Sequence, residues 1–180
     1  MKYLVVSDIH GSAYYGRKIE EIINKEKPDK IILLGDLYYH GPRNPLTLEY
    51  APKEVANILN SYKDKILAVR GNCDAEVDQT ISEFKIEEKL ELKIGGKKFF
   101  FTHGHKFNID NLPDEEFDVL VYGHFHTGFI QEKHSKLFVN AGSISLPKNN
   151  TKNSYLIFDN ENIILKDVDG NVIEEYRYRE

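Results

Sequence analysis

Residues 3–11 have the sequence YLVVSDIHG, in which four apolar residues lead into a serine, an acid, a histidine and a glycine. A short apolar run that ends in polar and turn-forming residues is typical of a buried β-strand entering a loop. The pattern recurs at 31–36, IILLGD, and at 65–74, KILAVRGNCD. Helical spacing separates the three runs, with Pro28 ending the first helix and Pro52 opening the second. This order predicts right-handed crossovers in a parallel sheet.

The second half of the chain changes character. Gly95-Gly96 is a two-residue hairpin turn between predicted strands at 89–94 and 97–102. Further strands are predicted at 118–122, 127–133, 136–140, 154–159, 162–167 and 171–178. The residues therefore predict an α/β fold with either one mixed sheet or two sheets packed face to face, and with helices outside.

Composition limits the class of protein. Of 180 residues, 41% are hydrophobic and 29% charged, which is typical of a folded globular chain. The net charge of -5 argues against a general basic surface for nucleic acid. The single cysteine cannot form an intramolecular disulfide. No stretch approaches the roughly 20 apolar residues that span a bilayer, and the first apolar run is too short for a secretory signal. We expect one domain over 1–180 in the cytoplasm, without a membrane or stable nucleic-acid partner.

Five apolar runs end in side chains that can bind metal ions. Together they supply seven candidate ligands: Asp8, His10, Asp36, Asn72, His103, His124 and His126. Open α/β sheets bind ligands beyond the carboxyl ends of their strands, so we expect these side chains to converge on one crevice. Because alternate residues of an extended segment face the same side, Asp8 and His10 can face one ion. The same spacing predicts that His124 and His126 can face one ion.

All seven candidate ligands offer nitrogen or oxygen, and none is a thiolate. Such a set suits Mn²⁺, Fe, Co²⁺, Ni²⁺ or Zn²⁺ better than Ca²⁺, which prefers oxygen alone. Seven ligands are too many for one such ion. Two ions roughly 3.5 to 4 Å apart, sharing a bridging carboxylate, would use them and could clamp a phosphate in line.

The motifs also resemble those of a known family. They are Asp8-Ile9-His10, Gly35-Asp36, Gly71-Asn72-Cys73-Asp74, Thr102-His103-Gly104 and Gly123-His124-Phe125-His126. In this order and at these spacings they resemble the five-block signature of the calcineurin-like metallophosphoesterases. The short length, the lack of inserted cap domains and the segments 40–44 and 140–143 make the chain similar to the small bacterial and archaeal phosphodiesterases of the YfcE type.

The resemblance implies a ligand set and a reaction. One metal ion would be held by Asp8, His10, Asp36 and His126. The second would be held by Asp36, Asn72, His103 and His124, so that Asp36 bridges the two. The implied fold is α/β, with two mixed β-sheets packed as a sandwich and flanked by helices. The implied reaction is phosphodiester hydrolysis by a hydroxide that bridges the metals. We expect Mn²⁺, with Ni²⁺, Co²⁺, Zn²⁺ or Fe as alternatives.

Cys73 departs from the family pattern. Most of the superfamily has a histidine at this place, and that histidine is thought to protonate the leaving group. A thiol could in principle donate a proton, but neighbouring cations favour its thiolate form. If no other acid replaces it, the enzyme should prefer activated leaving groups such as nitrophenolate. His105, two residues past His103, is a candidate substitute.

Three further residues are candidates for substrate binding. Arg43 and Asn44 lie in a loop rich in glycine and proline and could clamp a phosphate, since Arg suits bidentate contact with its oxygens. The alternative is a solvated loop. Arg70 lies two residues before Asn72 and could face the crevice, or it could pair with an acid at a strand end.

We expect a small phosphoester substrate, and two other functions stay open. A nuclease or cyclic-nucleotide phosphodiesterase would use the same fold, although the net charge argues against long polymers. A non-catalytic metal-binding scaffold, similar to the retromer subunit of this superfamily, tolerates loss of ligands, whereas all seven are present here. Tyr176 and Tyr178 could form an exposed aromatic stripe for homo-oligomerisation.

Overall fold

The computed structural model describes residues 1–178, so the last two residues of the predicted domain range 1–180 lie outside the description. In chain order the strands are β1 (Tyr3–Val6), β2 (Lys30–Leu33), β3 (Ile66–Val69), β4 (Ile86–Glu87), β5 (Leu90–Ile94), β6 (Lys97–Phe101), β7 (Val119–Tyr122), β8 (Phe129–Lys133), β9 (Lys136–Asn140), β10 (Ser154–Phe158), β11 (Asn162–Asp167) and β12 (Val172–Arg177). The α-helices are α1 (Ala13–Glu26), α2 (Pro52–Asn60) and α3 (Asp78–Ile81), and a 3₁₀ turn spans Lys63–Lys65.

The described strands form two sheets. The first has the spatial order β12-β11-β10-β1-β2-β3-β4, and the second has the order β5-β6-β7-β9-β8. In the first sheet β1 to β4 run parallel, while β10 to β12 join it through antiparallel pairs. In the second sheet β6, β7 and β9 are parallel. The predicted α/β fold with two mixed β-sheets and flanking helices is confirmed.

β1 shows how the layers are arranged. Side chains alternate across a strand, so Leu4 and Val6 join the core cluster that contains the apolar face of α1. Tyr3 and Val5 belong to the other cluster, together with second-sheet residues such as Phe99. Helices therefore cover one face of the first sheet and the second sheet covers the other, which is why β1 is buried along its whole length.

α1 begins and ends where local chemistry predicts. Backbone N–H of Tyr15 donates to the Ser12 hydroxyl at 3.3 Å, which caps the first turn. Lys27 has a left-handed φ of 50° and ends the helix immediately before Pro28. No helix within residues 1–178 combines the length and the apolar character needed to cross a bilayer.

Two features differ from the sequence expectations. Residues 75–88 had no predicted element, yet they contain α3 and β4, which pairs parallel with β3. Elements of two to four residues carry too little periodicity to be recognised. The predicted exposed stripe of Tyr176 and Tyr178 is wrong, because both rings pack partly buried against the core between the sheets. The ring centroid of Tyr178 lies 6.1 Å from that of Phe99.

Candidate metal centre

The seven predicted ligands follow the carboxyl ends of five strands. Asp8 and His10 follow β1, Asp36 follows β2, Asn72 follows β3, His103 follows β6, and His124 and His126 follow β7. Within each sheet these strands run parallel and end at the same edge, so the topology brings the loops together. Five of the seven line an open crevice of about 440 Å³. The other two, Asp8 and His103, are fully buried.

Asp8, His10 and His126 form a first cluster of metal-competent atoms. Nε2 of His126 lies 3.2 Å from Asp8 Oδ1, and Nε2 of His10 lies 3.5 Å from the same oxygen. The two Nε2 atoms are 3.2 Å apart. Asp8 Oδ1 is buried and has no hydrogen-bond partner among the described residues. A buried anionic oxygen without a partner is costly, and a cation bound here would remove that cost.

Asp36, His103 and His124 form a second cluster, with Asn72 beside it. Nε2 of His103 lies 3.2 Å from Asp36 Oδ2 and 3.0 Å from Asn72 Oδ1. The same nitrogen lies 3.2 Å from His124 Nδ1. Asp36 Oδ2 also lies 3.6 Å from Nε2 of His10 in the first cluster. Asp36 therefore lies between the clusters, in the place that a bridging carboxylate requires.

Backbone carbonyls fix the hydrogen on three of the imidazoles. Nδ1 of His10, His103 and His126 donates to the carbonyl oxygens of Tyr39, Leu34 and Leu146, at 2.8, 2.7 and 2.6 Å respectively. A carbonyl can only accept, so each Nδ1 carries a hydrogen and Nε2 is the ring nitrogen that faces the clusters. Neutral imidazole held in this way is the form that binds metal ions.

The donor set fits two divalent metal ions. Each cluster combines imidazole nitrogen with carboxylate oxygen, which suits first-row transition metals. The Nε2 atoms of His10 and His126 lie 3.2 Å apart, and a cation between them would coordinate the lone pairs of both neutral rings. The first cluster would hold one ion and the second cluster the other, with Asp36 shared.

The buried charges perturb one another's pKa values. Burial alone would raise the pKa of Asp8 and Asp36, but the neighbouring imidazoles, His103 first, lower both. Burial alone would lower the pKa of His103, but the carboxylates of Asp8 and Asp36 raise it to about 9. Burial and the positive charge of His103 lower the pKa of His124 to about 4. Both carboxylates are therefore anionic and attract cations.

Five of the seven residues have a left-handed backbone. Their φ values are 57° at Asp8, 50° at His10, 54° at Asp36, 63° at His124 and 58° at His126. Such values cost free energy for a residue with a Cβ and cluster at functional sites. The expectation that His124 and His126 face one ion is wrong, because their rings join different clusters. Asp8 and His10 share a cluster as expected, although their backbone is left-handed and not extended.

Asp74 ties the second and third loops together. Its carboxylate accepts hydrogen bonds from the backbone N–H groups of Asp36, Leu37 and Gly71 at 2.8, 2.8 and 2.7 Å. A Cβ at Gly71 would lie 2.1 Å from Asp36 Oδ1, so only glycine allows this close approach. The position of Asp36 is therefore set by its neighbours and not by its own loop alone.

Cys73, Arg43 and Asn44 line the crevice. Burial, followed by the carboxylate of Asp36, raises the pKa of Cys73 to about 12, so its side chain is a thiol. Asn44 Nδ2 donates to the carbonyl of His40 at 2.8 Å, which holds the loop in shape. Arg43 is exposed. The arginines that form salt bridges within residues 1–178 are Arg17, Arg70 and Arg177.

Neither Arg70 nor His105 is among the residues that line the crevice. Of the two expected roles of Arg70, the structure shows pairing with an acid at a strand end, and the role of His105 as an acid stays a prediction. Backbone N–H of Arg70 donates to Glu87 O in the unpredicted strand β4 at 2.8 Å. Its Nε lies 3.3 Å from Glu88 Oε1, so the guanidinium pairs with the segment that follows β4. His105 is exposed, and its ring packs beside His103 at a centroid distance of 5.4 Å, outside the residues that line the crevice.

Sequence reasoning missed several residues of this region. Tyr39 and Lys148 line the crevice, although nothing in a lone Tyr or Lys of a loop marks it as functional. The hydroxyls of Ser143 and Ser145 donate to Asp8 O at 2.8 and 2.9 Å and so support the first loop. For Ser143 a signal existed, because the segment 140–143 belongs to the family resemblance.

Comparison with known proteins agrees with this geometry. The chain matches the calcineurin-like phosphoesterase superfamily domain over residues 1–162. It is 40% identical to the phosphodiesterase YfcE of Escherichia coli K12 over 163 residues, which cover 89% of each protein. It is 30% identical to a phosphodiesterase of Methanocaldococcus jannaschii over 151 residues, which cover 79% of this chain and 83% of the relative.

Solved structures give the same result. The structure of YfcE, described as a phosphoesterase from E. coli, superposes with a TM-score of 0.95 at 36% identity and covers 99% of this chain and 100% of its own. Vps29 of Chaetomium thermophilum has a TM-score of 0.65 at 19% identity, with 99% and 100% coverage, and shares the fold alone. The resemblance predicted from the five motifs is confirmed: the chain belongs to the calcineurin-like phosphoesterase superfamily and is a phosphoesterase.

Proposed function

We propose that the protein is a phosphodiesterase that uses two divalent metal ions to hydrolyse a small phosphodiester. The observation that carries this proposal is the convergence of all seven candidate ligands in two clusters with Asp36 between them. The relatives that are 40% and 30% identical are both phosphodiesterases, which supports it further. Mn²⁺ is the proposed ion, with Ni²⁺, Co²⁺, Zn²⁺ or Fe as alternatives suited to the same donors.

The reaction is the addition of water to a phosphodiester. When bound, the ions supply Lewis acidity to the phosphate and to the water that attacks it. A bond forms between the water oxygen and phosphorus, and the bond between phosphorus and the leaving oxygen breaks. One water proton ends on the leaving alcohol and the other on the phosphomonoester or the solvent. The products are therefore one phosphomonoester and one alcohol.

Arg43 is the proposed contact to the phosphate oxygens. It lies on the crevice wall in the loop that follows Asp36, and its side chain is exposed. A guanidinium presents a planar fork of donors that matches two phosphate oxygens at once. We expect Arg43→Gln to raise KM about tenfold, while Arg17→Gln, a matched change at an exposed arginine paired with Glu49, leaves KM unchanged.

Because residue 73 is a cysteine, we expect the basicity of the leaving alcohol to control the rate of hydrolysis. No imidazole follows Asn72, and the thiol on the crevice wall is a weak hydrogen-bond donor. The leaving oxygen therefore departs with little help from a proton donor. We expect the rate to fall steeply as the leaving alcohol becomes more basic, from p-nitrophenol through phenol to methanol. A rate independent of the leaving group would show instead that another acid serves this step.

Turnover with Mn²⁺ tests the proposal directly. Purified protein should release p-nitrophenolate from bis-p-nitrophenyl phosphate faster than from p-nitrophenyl phosphate, because the site is proposed to act on diesters. Chelation should abolish the activity and Mn²⁺ should restore it. If Mn²⁺, Co²⁺, Ni²⁺ and Zn²⁺ all fail to support turnover of the diester, the proposed function is wrong.

We further propose that the enzyme acts in the cytoplasm on a small phosphoester, without a membrane or a stable nucleic-acid partner. The net charge of -5 supports this, since binding to a nucleic-acid backbone depends on basic surface. A dissociation constant for single-stranded DNA below about 1 µM at physiological salt would contradict the proposal.

A further inference from the structure

Lys148 lines the crevice from a segment that lies outside the five motifs. It follows β9 and precedes β10, in a turn whose side chains are exposed from 148 to 150. Many lysines within residues 1–178 have a carboxylate within ion-pair distance, and Lys148 does not. Its ammonium group is therefore available to an anionic ligand in the crevice.

The turn that carries Lys148 is attached to the metal ligand His126. Backbone N–H of Lys148 donates to His126 O at 2.9 Å. The Thr151 hydroxyl donates to Lys148 O at 2.7 Å. Asn149 Nδ2 donates to Thr127 Oγ1, one residue past His126, at 2.9 Å. These bonds hold the base of the Lys148 side chain at a fixed place beside the metal centre.

The same turn has a strained backbone. Asn149 and Asn150 have φ values of 54° and 58°, so two successive residues with a Cβ lie in the left-handed region. Asn tolerates this region better than most residues, but the conformation still costs free energy. Such strain clusters at ligand-binding positions, where surrounding contacts hold it. Five of the candidate metal ligands have the same left-handed backbone conformation. The strain in the Lys148 turn is therefore consistent with a role in ligand binding.

Lys148 is a second basic side chain on the crevice wall, in addition to Arg43. A phosphodiester carries a single negative charge, and Arg43 is already the proposed contact to it. The crevice of about 440 Å³ has room for a ligand of nucleotide size. Tyr39 is 41% exposed on its wall and offers an aromatic face on which a nucleobase can stack. A compact ammonium on a flexible stem suits a terminal phosphate at some distance from the reacting one.

We propose that Lys148 determines specificity by binding a second phosphate group of the substrate, so that the preferred substrates are phosphodiesters that carry a further phosphate. This inference rests on the proposed phosphodiesterase function. Lys148 is not assigned to the chemical step, so its removal changes substrate binding and leaves turnover of bound substrate largely intact.

The experiment compares two substrates with the same leaving group. They are thymidine 5′-(p-nitrophenyl phosphate) and the same compound with an added 3′-phosphate, both with Mn²⁺ at physiological salt. We expect wild-type KM to be about tenfold lower for the compound with the 3′-phosphate, at similar kcat. Lys148→Gln should remove this difference and Lys148→Arg should retain it. Lys93→Gln, the same charge change at an exposed position of β5, is the matched control and should behave as wild type.

A binding measurement separates failure of this inference from failure of the proposed function. Calorimetry compares thymidine 3′,5′-bisphosphate with thymidine 5′-phosphate on the Mn²⁺-loaded protein. Tighter binding of the bisphosphate that is lost in Lys148→Gln supports the role of Lys148 even if neither nitrophenyl compound is hydrolysed. Equal binding of the two nucleotides, or equal weakening of both by Lys148→Gln, overturns it, whether or not the protein hydrolyses diesters.

Discussion

β1 has a buried carboxylate beyond each of its ends, and the two are partnered in opposite ways. Near its amino end, the side chain of Glu26 is 8% exposed and its carboxylate contacts Nζ of Lys2 and of Lys166, each at 2.7 Å. Beyond its carboxyl end, the salt-bridge partners of Asp8 within residues 1–178 are the imidazoles of His10 and His126. One acid has permanent cations, and the other has imidazoles whose Nε2 atoms point towards it.

This difference separates a structural carboxylate from a functional one. At Glu26 the chain supplies the positive charge itself, so the site is complete once the protein folds. At the carboxyl ends of the strands it supplies donors in excess and leaves Asp8 Oδ1 without a hydrogen-bond partner in the described chain. A lysine there would satisfy the acid and block the site. Imidazoles held by backbone carbonyls keep it able to take a divalent ion.

The largest expected effect is on catalysis. Loss of a crevice carboxylate should reduce activity, and loss of the Glu26 carboxylate should not. Asp36→Asn removes the shared carboxylate while keeping a residue that tolerates the φ of 54° at this position. We expect kcat/KM for bis-p-nitrophenyl phosphate with Mn²⁺ to fall by about a thousandfold or more, since ligand loss disables metal chemistry. Glu26→Gln is the same acid-to-amide change at the other end and should stay within about twofold of wild type. Comparable losses of kcat/KM in the two variants would refute the distinction between a functional and a structural carboxylate.

The next effect is on stability and depends on metal. At about 100 times its dissociation constant, Mn²⁺ should raise the free energy of unfolding by about 2.7 kcal/mol per site. Urea unfolding with Mn²⁺ and with chelator measures this increment. Glu26→Gln should show the wild-type increment, because its acid lies outside the crevice, whereas Asp36→Asn should lose at least half of it. An unchanged increment in Asp36→Asn would mean that the metal binds elsewhere.

Much of this site could be predicted from the sequence because its signal is local. Apolar runs that end in Asp, Asn or His mark both the strands and the ligands, and parallel topology then brings them together. Side-chain direction could not be predicted. His124 and His126 join different clusters, whereas Asp8 and His10 share one. All four have a left-handed backbone, so alternation along an extended strand does not give the directions of their side chains.

Residues placed by tertiary structure left no local signal. Arg70 faces Glu88 because β4 joins the sheet beside β3, and a strand of two residues has no recognisable period. Lys148 reaches the crevice because its turn is bonded to His126, more than twenty residues earlier. Glu26 and its two lysines come together only when α1, β11 and the amino end of β1 are packed.

The smallest expected effect lies at Glu26 and is structural. Burial alone would raise the pKa of Glu26, but Lys166 and Lys2 lower it to about 2. Glu26→Gln leaves both lysines without a carboxylate, so we expect it to reduce the free energy of unfolding at pH 7 by about 2 kcal/mol. Urea unfolding of both proteins in chelator measures the difference without any contribution from metal. Asp36→Asn is the control, because the loss of this buried carboxylate should reduce activity more than it reduces the free energy of unfolding in chelator.

The pH dependence of that difference tests its cause. The folded-state pKa of about 2 lies below the ordinary value of 4.5, so the unfolded chain binds the proton first as the pH falls. The stabilisation from Glu26 is therefore complete above about pH 4.5 and is lost between that pH and about pH 2. Because Gln does not titrate, the gap between wild type and Glu26→Gln should narrow from pH 6 to pH 3. A difference in the free energy of unfolding that stays constant over this range would mean that Glu26 stabilises the fold through packing. Charge pairing would then not be what distinguishes Glu26 from the carboxylates of the crevice.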